Sequence, residues 1–182
     1  MIYDKFTVKK GAEKFSVVLR DPEMEDVDDM LEFINSLTEE DVDISTTKKY
    51  TRQEEKKYLR DLLRRIERGS MLSVVVEVNG KVVGNSSVTR RKEETDSHVA
   101  ELGIAISKDY RNFGIGKRLM DALIKTAKRK WKTKVVKLSC YETNKHAQHV
   151  YRKLGFRKTG RIPKGIKHGG KYIDHIIMAK VL

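Results

Sequence analysis

Apolar residues recur along this chain with two different periods, and the alternation between them predicts its elements. A period near 3.6 appears over Asp26 to Leu37, where Val27, Met30, Leu31 and Ile34 share a face. It returns over Arg52 to Arg68, with Tyr58, Leu59, Leu62, Leu63 and Ile66 inward and Gly69 as a C-cap. A third helix carries Leu119, Leu123, Ile124 and Ala127 and runs to about Lys130, and a fourth spans Lys145 to Leu154. Between these lie short apolar or alternating runs that predict strands at Phe15–Arg20, Met71–Val78, Lys81–Thr89, His98–Ser107, Lys134–Tyr141, Phe156–Arg161 and Tyr172–Val181. Asp21-Pro22 stops the first strand, and Asn79-Gly80 predicts a tight hairpin between the second and third. Gly165 and Gly169-Gly170 are available to turn the last hairpin, and Glu39 to Tyr50 reads as a loop. Residues 1–14 read as an N-terminal extension. The order β-α-α-β-β-β-α-β-α-β-β predicts an α/β fold, a mixed sheet with helices on its faces, in one domain over residues 1–182.

Composition narrows the class. Hydrophobic residues make up 38% and charged residues 36%, as in a charge-rich globule. No apolar run approaches the roughly 20 residues of a membrane-spanning helix. Met1-Ile-Tyr-Asp-Lys lacks the basic-then-apolar pattern of a signal peptide, and a single cysteine, Cys140, excludes an internal disulfide. The expected location is therefore the cytoplasm. A net charge of +13 raises nucleic acid as a partner, but Lys128, Arg129, Lys130, Lys132 and Lys134 fall where a helix ends and suit its dipole. His146 and His149 share a helix face without a carboxylate or cysteine set to complete a metal site, so no metal is expected.

The chemistry concentrates at Arg111-Asn112-Phe113-Gly114-Ile115-Gly116-Lys117, between the apolar strand Leu102–Ile106 and the third helix. Paired glycines at a helix start let backbone N–H groups approach an anion, and the helix N-terminus adds unsatisfied donors and partial positive charge. Arg111, Lys117 and Arg118 add cations, so a phosphate-bearing cofactor is expected. The spacing is neither G-x-G-x-x-G nor G-x-x-x-x-G-K-[ST].

The pattern is R-x-x-G-x-G, followed about thirty residues on by N-x-x-A-x-x-x-Y-x-x-x-G-F in "NKHAQHVYRKLGFRKTGR". Together these resemble the signatures of the GNAT family of N-acetyltransferases, and the resemblance extends from Phe15 to Leu182. It implies acetyl-CoA as cosubstrate, with its pyrophosphate on residues 111–117. It implies two parallel strands that splay apart to admit the pantetheine arm, here Leu102–Ile106 and Lys134–Tyr141. Backbone groups of Ile104, Ala105 and Ile106 would then bind the arm as an added strand does, and an N–H near Ile104 would polarise the thioester carbonyl. Asn144 matches a cofactor-bonding asparagine and also reads as a helix N-cap. Tyr151 matches the family's general acid for the departing thiolate. Glu101 is the expected general base, acting through water, with His98 as the other candidate.

The acceptor is less legible. Asp21 to Asp43 is dense in acid, and the resemblance places this segment over the acceptor site, where it would draw a small cationic amine. Protein N-termini and lysines stay open as acceptors. A silent acyl-CoA sensor and a basic nucleic-acid-binding module are the readings from other classes. Dimers are common in the family, though no stretch here specifies an interface.

Overall fold

The computed structural model describes residues 1–40, 48–91 and 93–182. Eight strands form one mixed sheet in the order β1-β2-β3-β4-β5-β6-β8-β7. In chain order the elements are β1 (Ile2–Lys10), β2 (Glu13–Arg20), α1 (Val27–Glu39), α2 (Arg52–Glu67), β3 (Met71–Val78), β4 (Lys81–Arg90), β5 (Val99–Ile106), α3 (Ile115–Trp131), β6 (Val135–Tyr141), α4 (Lys145–Lys153), β7 (Arg157–His168) and β8 (Lys171–Val181). The eleven elements expected from the hydrophobic pattern are all present, and part of the Glu39–Tyr50 loop lies outside the described residues.

Two differences have physical reasons. The first fourteen residues hold a strand, β1, hairpinned to β2 through Gly11, whose φ is +63°. Its apolar residues are few and spaced among lysines, because only Val8 is buried and Tyr3 and Phe6 are half-covered at the sheet edge. β7 runs to His168, well past Arg161, since Pro163 and Gly165 make a bulge instead of a turn. The register jumps between Ile162 and Ile166, and a Cβ on Gly165 would lie 3.0 Å from both His175 and Ile162. Gly169-Gly170 makes the turn.

Strand alternation sorts the two faces. Leu72, Val74, Val76, Val88, Ala100, Leu102, Val136 and Leu138 point to one side and pack with Leu119, Met120, Leu123 and Ala127 of α3 and with Tyr151 and Leu154 near α4. Met71, Val75 and Val82 point to the other and pack with Val27 and Met30 of α1 and Leu59 and Leu62 of α2. Thr51 caps α2 in a reciprocal capping box with Glu54. A buried ion pair anchors the start of α1, with Arg20 forking onto both Asp26 oxygens at 2.7 and 2.9 Å and reaching Glu77 at 2.7 Å. Charge divides along the chain as well. Residues 110–182 carry 20 lysines and arginines against three acids, Asp121, Glu142 and Asp174.

Candidate active site

Among the described residues, the sheet opens where its only parallel pair ends. β5 and β6 are paired at Val99↔Val135, Ala100↔Val136 and Glu101↔Lys137 and no further. Beyond that rung β6 follows β8, to which it stays paired from Val135 to Tyr141, while β5 follows β4 as far as Gly84↔Ile106. Leu102 to Ile106 therefore have no ladder partner on the β6 side. β5 pairs residue for residue with β4, so no bulge displaces Glu101.

The fork leads into a cleft of about 880 Å³ on the α3/α4 face. Ile104, Ala105 and Ile106 of β5 line one wall, and Val150, Tyr151 and Leu154 of α4 and its end line the other. Arg111, Asn112, Gly114, Gly116 and Lys117 close one end and Asn144 stands at the start of α4. The turn works because Asn112 and Gly114 both take positive φ, 68° and 75°, which brings α3 in abruptly behind β5. Gly116 faces β5, where a Cβ would meet Ile106 Cδ1 at 3.4 Å in ordinary contact. The N–H groups of Ile115, Gly116 and Lys117 fall in the first turn and have no intrahelical acceptor; the helix's bonding starts with Arg118 N–H to Gly114 O at 3.2 Å. Two expected residues are not in the wall: Ile115 is buried in the core and Phe113 packs against it.

Arg111 is already engaged. Its Nε donates to Ile106 O at 2.7 Å and its Nη2 to Glu40 at 2.7 Å, so the guanidinium ties the end of β5 to the end of α1. Asn144 caps α4 by accepting from Ala147 N–H at 2.9 Å. Tyr151 is 9% exposed, and burial, with a smaller push from Cys140, drives its phenol up to about 12. Lys145, His146 and Lys153 also line the cleft, although sequence reasoning assigned them no role. Their signal was their place in the helix that carries Asn144 and Tyr151.

Glu101 stands apart from this cleft. It points to the α1/α2 face, is exposed, and pairs with Lys137 Nζ at 3.0 Å. His98 is exposed below the paired rungs, and its carbonyl accepts from Lys134 N–H at 2.8 Å. Much of the acidic segment is paired, although Glu23 and Glu25 are exposed. Asp28 pairs with Arg52, Glu32 with Lys81, Glu39 with Lys49, Glu40 with Arg111 and Asp26 with Arg20, while Asp29 accepts from Val82 N–H. Asp41 and Asp43 lie outside the described residues. Among the described residues no group of three His, Cys, Asp or Glu is placed to hold a metal ion, and no helix is long and apolar enough to cross a membrane.

A mixed sheet with a forked parallel pair, a glycine turn at one end of the fork and a buried phenol in its wall makes a cleft suited to a phosphate-bearing ligand. Residues 32–156 match the Acetyltransferase (GNAT) family. The chain belongs to that family and is an enzyme of the N-acetyltransferase class. It is 29% identical over 115 residues to the L-amino acid N-acetyltransferase AaaT of Escherichia coli K12, covering 63% of this chain and 71% of that protein. A probable spermine N(1)-acetyltransferase of Bacillus subtilis subsp. natto is 37% identical over 57 residues, 31% of this chain and 38% of that protein. The crystal structure of a GNAT-family acetyltransferase from Streptococcus pneumoniae superposes with a TM-score of 0.79 at 25% identity, covering 91% of this chain and 99% of that one.

Proposed function

We propose that this protein transfers the acetyl group of acetyl-CoA to the primary amine of a small acceptor by direct attack within a ternary complex. The observation that carries this reading is the fork at Glu101/Lys137, which joins a phosphate-suited turn on one face of the sheet to an open floor on the other. The pyrophosphate rests on the N–H groups of residues 115–117, with Lys117 beside them, and the pantetheine arm pairs with the free edge of β5. An N–H near Ile104 polarises the thioester carbonyl. The amine arrives from the α1/α2 face and loses its proton to Glu101 through water. The names of AaaT and of the Bacillus relative point to small amines as acceptors.

Tyr151 acts here as a hydrogen-bond donor. A phenol near 12 holds its proton more tightly than a thiol, whose ordinary value is about 8.5, so the phenol stabilises the developing thiolate without being consumed. Dimerisation is compatible with this reading and is not required by it.

Calorimetric titration with acetyl-CoA, with dephospho-CoA and a short DNA duplex as controls, tests the donor. Micromolar or tighter acetyl-CoA binding followed by thiol release with small amines is the expected result. No acetyl-CoA binding would remove the donor assignment. Binding without turnover on any amine, peptide N-termini included, would make the protein an acyl-CoA sensor.

A further inference from the structure

A thioester that reaches through the fork emerges on the α1/α2 face, and the side chains on that floor decide which amine it meets. Alternation puts Glu101, Gly103 and Ala105 of β5 there, beside Lys137, Ser139 and Tyr141 of β6. The floor is open: Glu101, Gly103 and Ser139 are exposed, and a Cβ built on Gly103 meets no atom within 4 Å. The last paired rung crosses three strands, from Thr89 through Glu101 to Lys137. Glu101 and Lys137 are the charged groups on the β5 and β6 stretches of this floor, 3.0 Å apart. Arg65 reaches in from α2 to donate to Thr89 Oγ1 at 3.4 Å.

We propose that this floor receives a zwitterion, so that the acceptor is a free α-amino acid or a similarly carboxylate-bearing amine, and that Lys137 is the residue that selects it. The inference rests on the acetyltransferase reading above. A purely cationic amine binding Glu101 has to compete with Lys137 for it and then sits beside a second positive charge. An α-amino acid carries its ammonium and carboxylate on one carbon, so its ammonium takes Glu101 while its carboxylate takes Lys137, and Arg65 adds positive potential behind them. One ion pair becomes two, and neither protein charge is stranded. A polyamine meets Lys137 and Arg65 as like charges. In the transfer, the ammonium first gives a proton to solvent through Glu101. Its lone pair then forms the N–C bond to the thioester carbon, the C–S bond breaks, the second proton leaves by the same route, and the sulfur departs as the CoA thiolate, which takes its proton from solvent.

The test compares kcat/KM for matched acceptors with and without the carboxylate, methionine against 3-(methylthio)propylamine and phenylalanine against phenethylamine. Wild-type protein is expected to prefer the amino acids at least tenfold. Lys137→Gln should cut that ratio at least tenfold, mostly through KM for the amino acid, and Lys137→Arg should restore most of it. Equal use of both members of each pair by wild type overturns the proposal, as does a Lys137→Gln effect that falls equally on both. Calorimetric binding of methionine to the CoA-loaded protein, compared between wild type and Lys137→Gln, reads the proposal without turnover. Methionine binding lost in the variant supports the zwitterion site even if no amine is acetylated, and no binding in either protein refutes it.

Discussion

Glu55 offers a sharp test of how burial governs this fold. It lies on the inward face of α2 with Leu59 and Leu62, is 4% exposed, and its carboxyl makes no hydrogen bond or ion pair among the described residues. Burial alone pushes its carboxyl from 4.5 up to about 7. Between those two values the unfolded chain has released the proton while the folded chain keeps it. The native state therefore binds more protons, and stability falls as pH rises through that window. Below pH 4.5 both states are protonated and nothing is lost; above pH 7 the whole cost is present. At about 1.36 kcal/mol for each tenfold difference in proton affinity, that cost is roughly 3 kcal/mol. Glu55→Gln keeps the shape and removes the charge, and the other carboxylates cancel when variant and wild type are compared at one pH. Urea unfolding at pH 8.5 should find the variant about 2–3 kcal/mol more stable, with a melting point higher by roughly 5–10 °C. At pH 4 the gain should shrink to a few tenths of a kcal/mol. A gain of equal size at both pH values, or a loss at pH 8.5, would refute the argument from burial.

Two further outcomes follow from the site. Tyr151→Phe should lower kcat about a hundredfold with little change in acetyl-CoA affinity, and the wild-type pH–rate profile should show no loss of activity assignable to this phenol below about pH 11; full turnover in the variant removes the role. Gly84→Ala should destabilise the protein by about 1–3 kcal/mol, because its Cβ would stand 2.9 Å from Ala105 O and 3.2 Å from Ile106 Cα. The push falls on β5 from its β4 side and shifts the free edge proposed to pair with pantetheine, so calorimetry should show weaker acetyl-CoA binding in the same variant, and unchanged affinity would mean that this edge does not hold the arm.

Much of the architecture was legible because periodicity and burial agree. Asn79-Gly80 declares a hairpin, and both residues take the positive φ that it needs, 50° and 85°. The Arg111–Lys117 turn was readable because glycine spacing at a helix start has few other uses, and all but Phe113 and Ile115 of that stretch line the cleft. β1 was hidden because an edge strand buries little and spends its alternate positions on lysine. The β7 bulge was hidden because Pro163 and Gly165 are the residues a turn would use too. The pairing within the acidic segment was hidden for a different reason: composition counts charges, whereas free charge depends on partners, and Arg52, Lys81, Lys49 and Arg20 come from outside the acidic run. Lys137 was invisible as a functional residue since its meaning lies in the register that sets it opposite Glu101.

The uneven distribution of charge gives the molecule an electrical direction. Four cationic residues of the chain's second half, Arg111, Lys117, Lys145 and Lys153, line the cleft that suits a polyanionic cofactor. The carboxylates of α1 are largely spoken for by neighbouring cations on the opposite face. The cleft cations favour the approach of a polyanion from their side of the sheet, over distances of about a Debye length, ~8–10 Å at physiological salt. Such an asymmetry acts on a polyanion before it touches a binding residue and leaves a net-neutral acceptor to be chosen by contact alone.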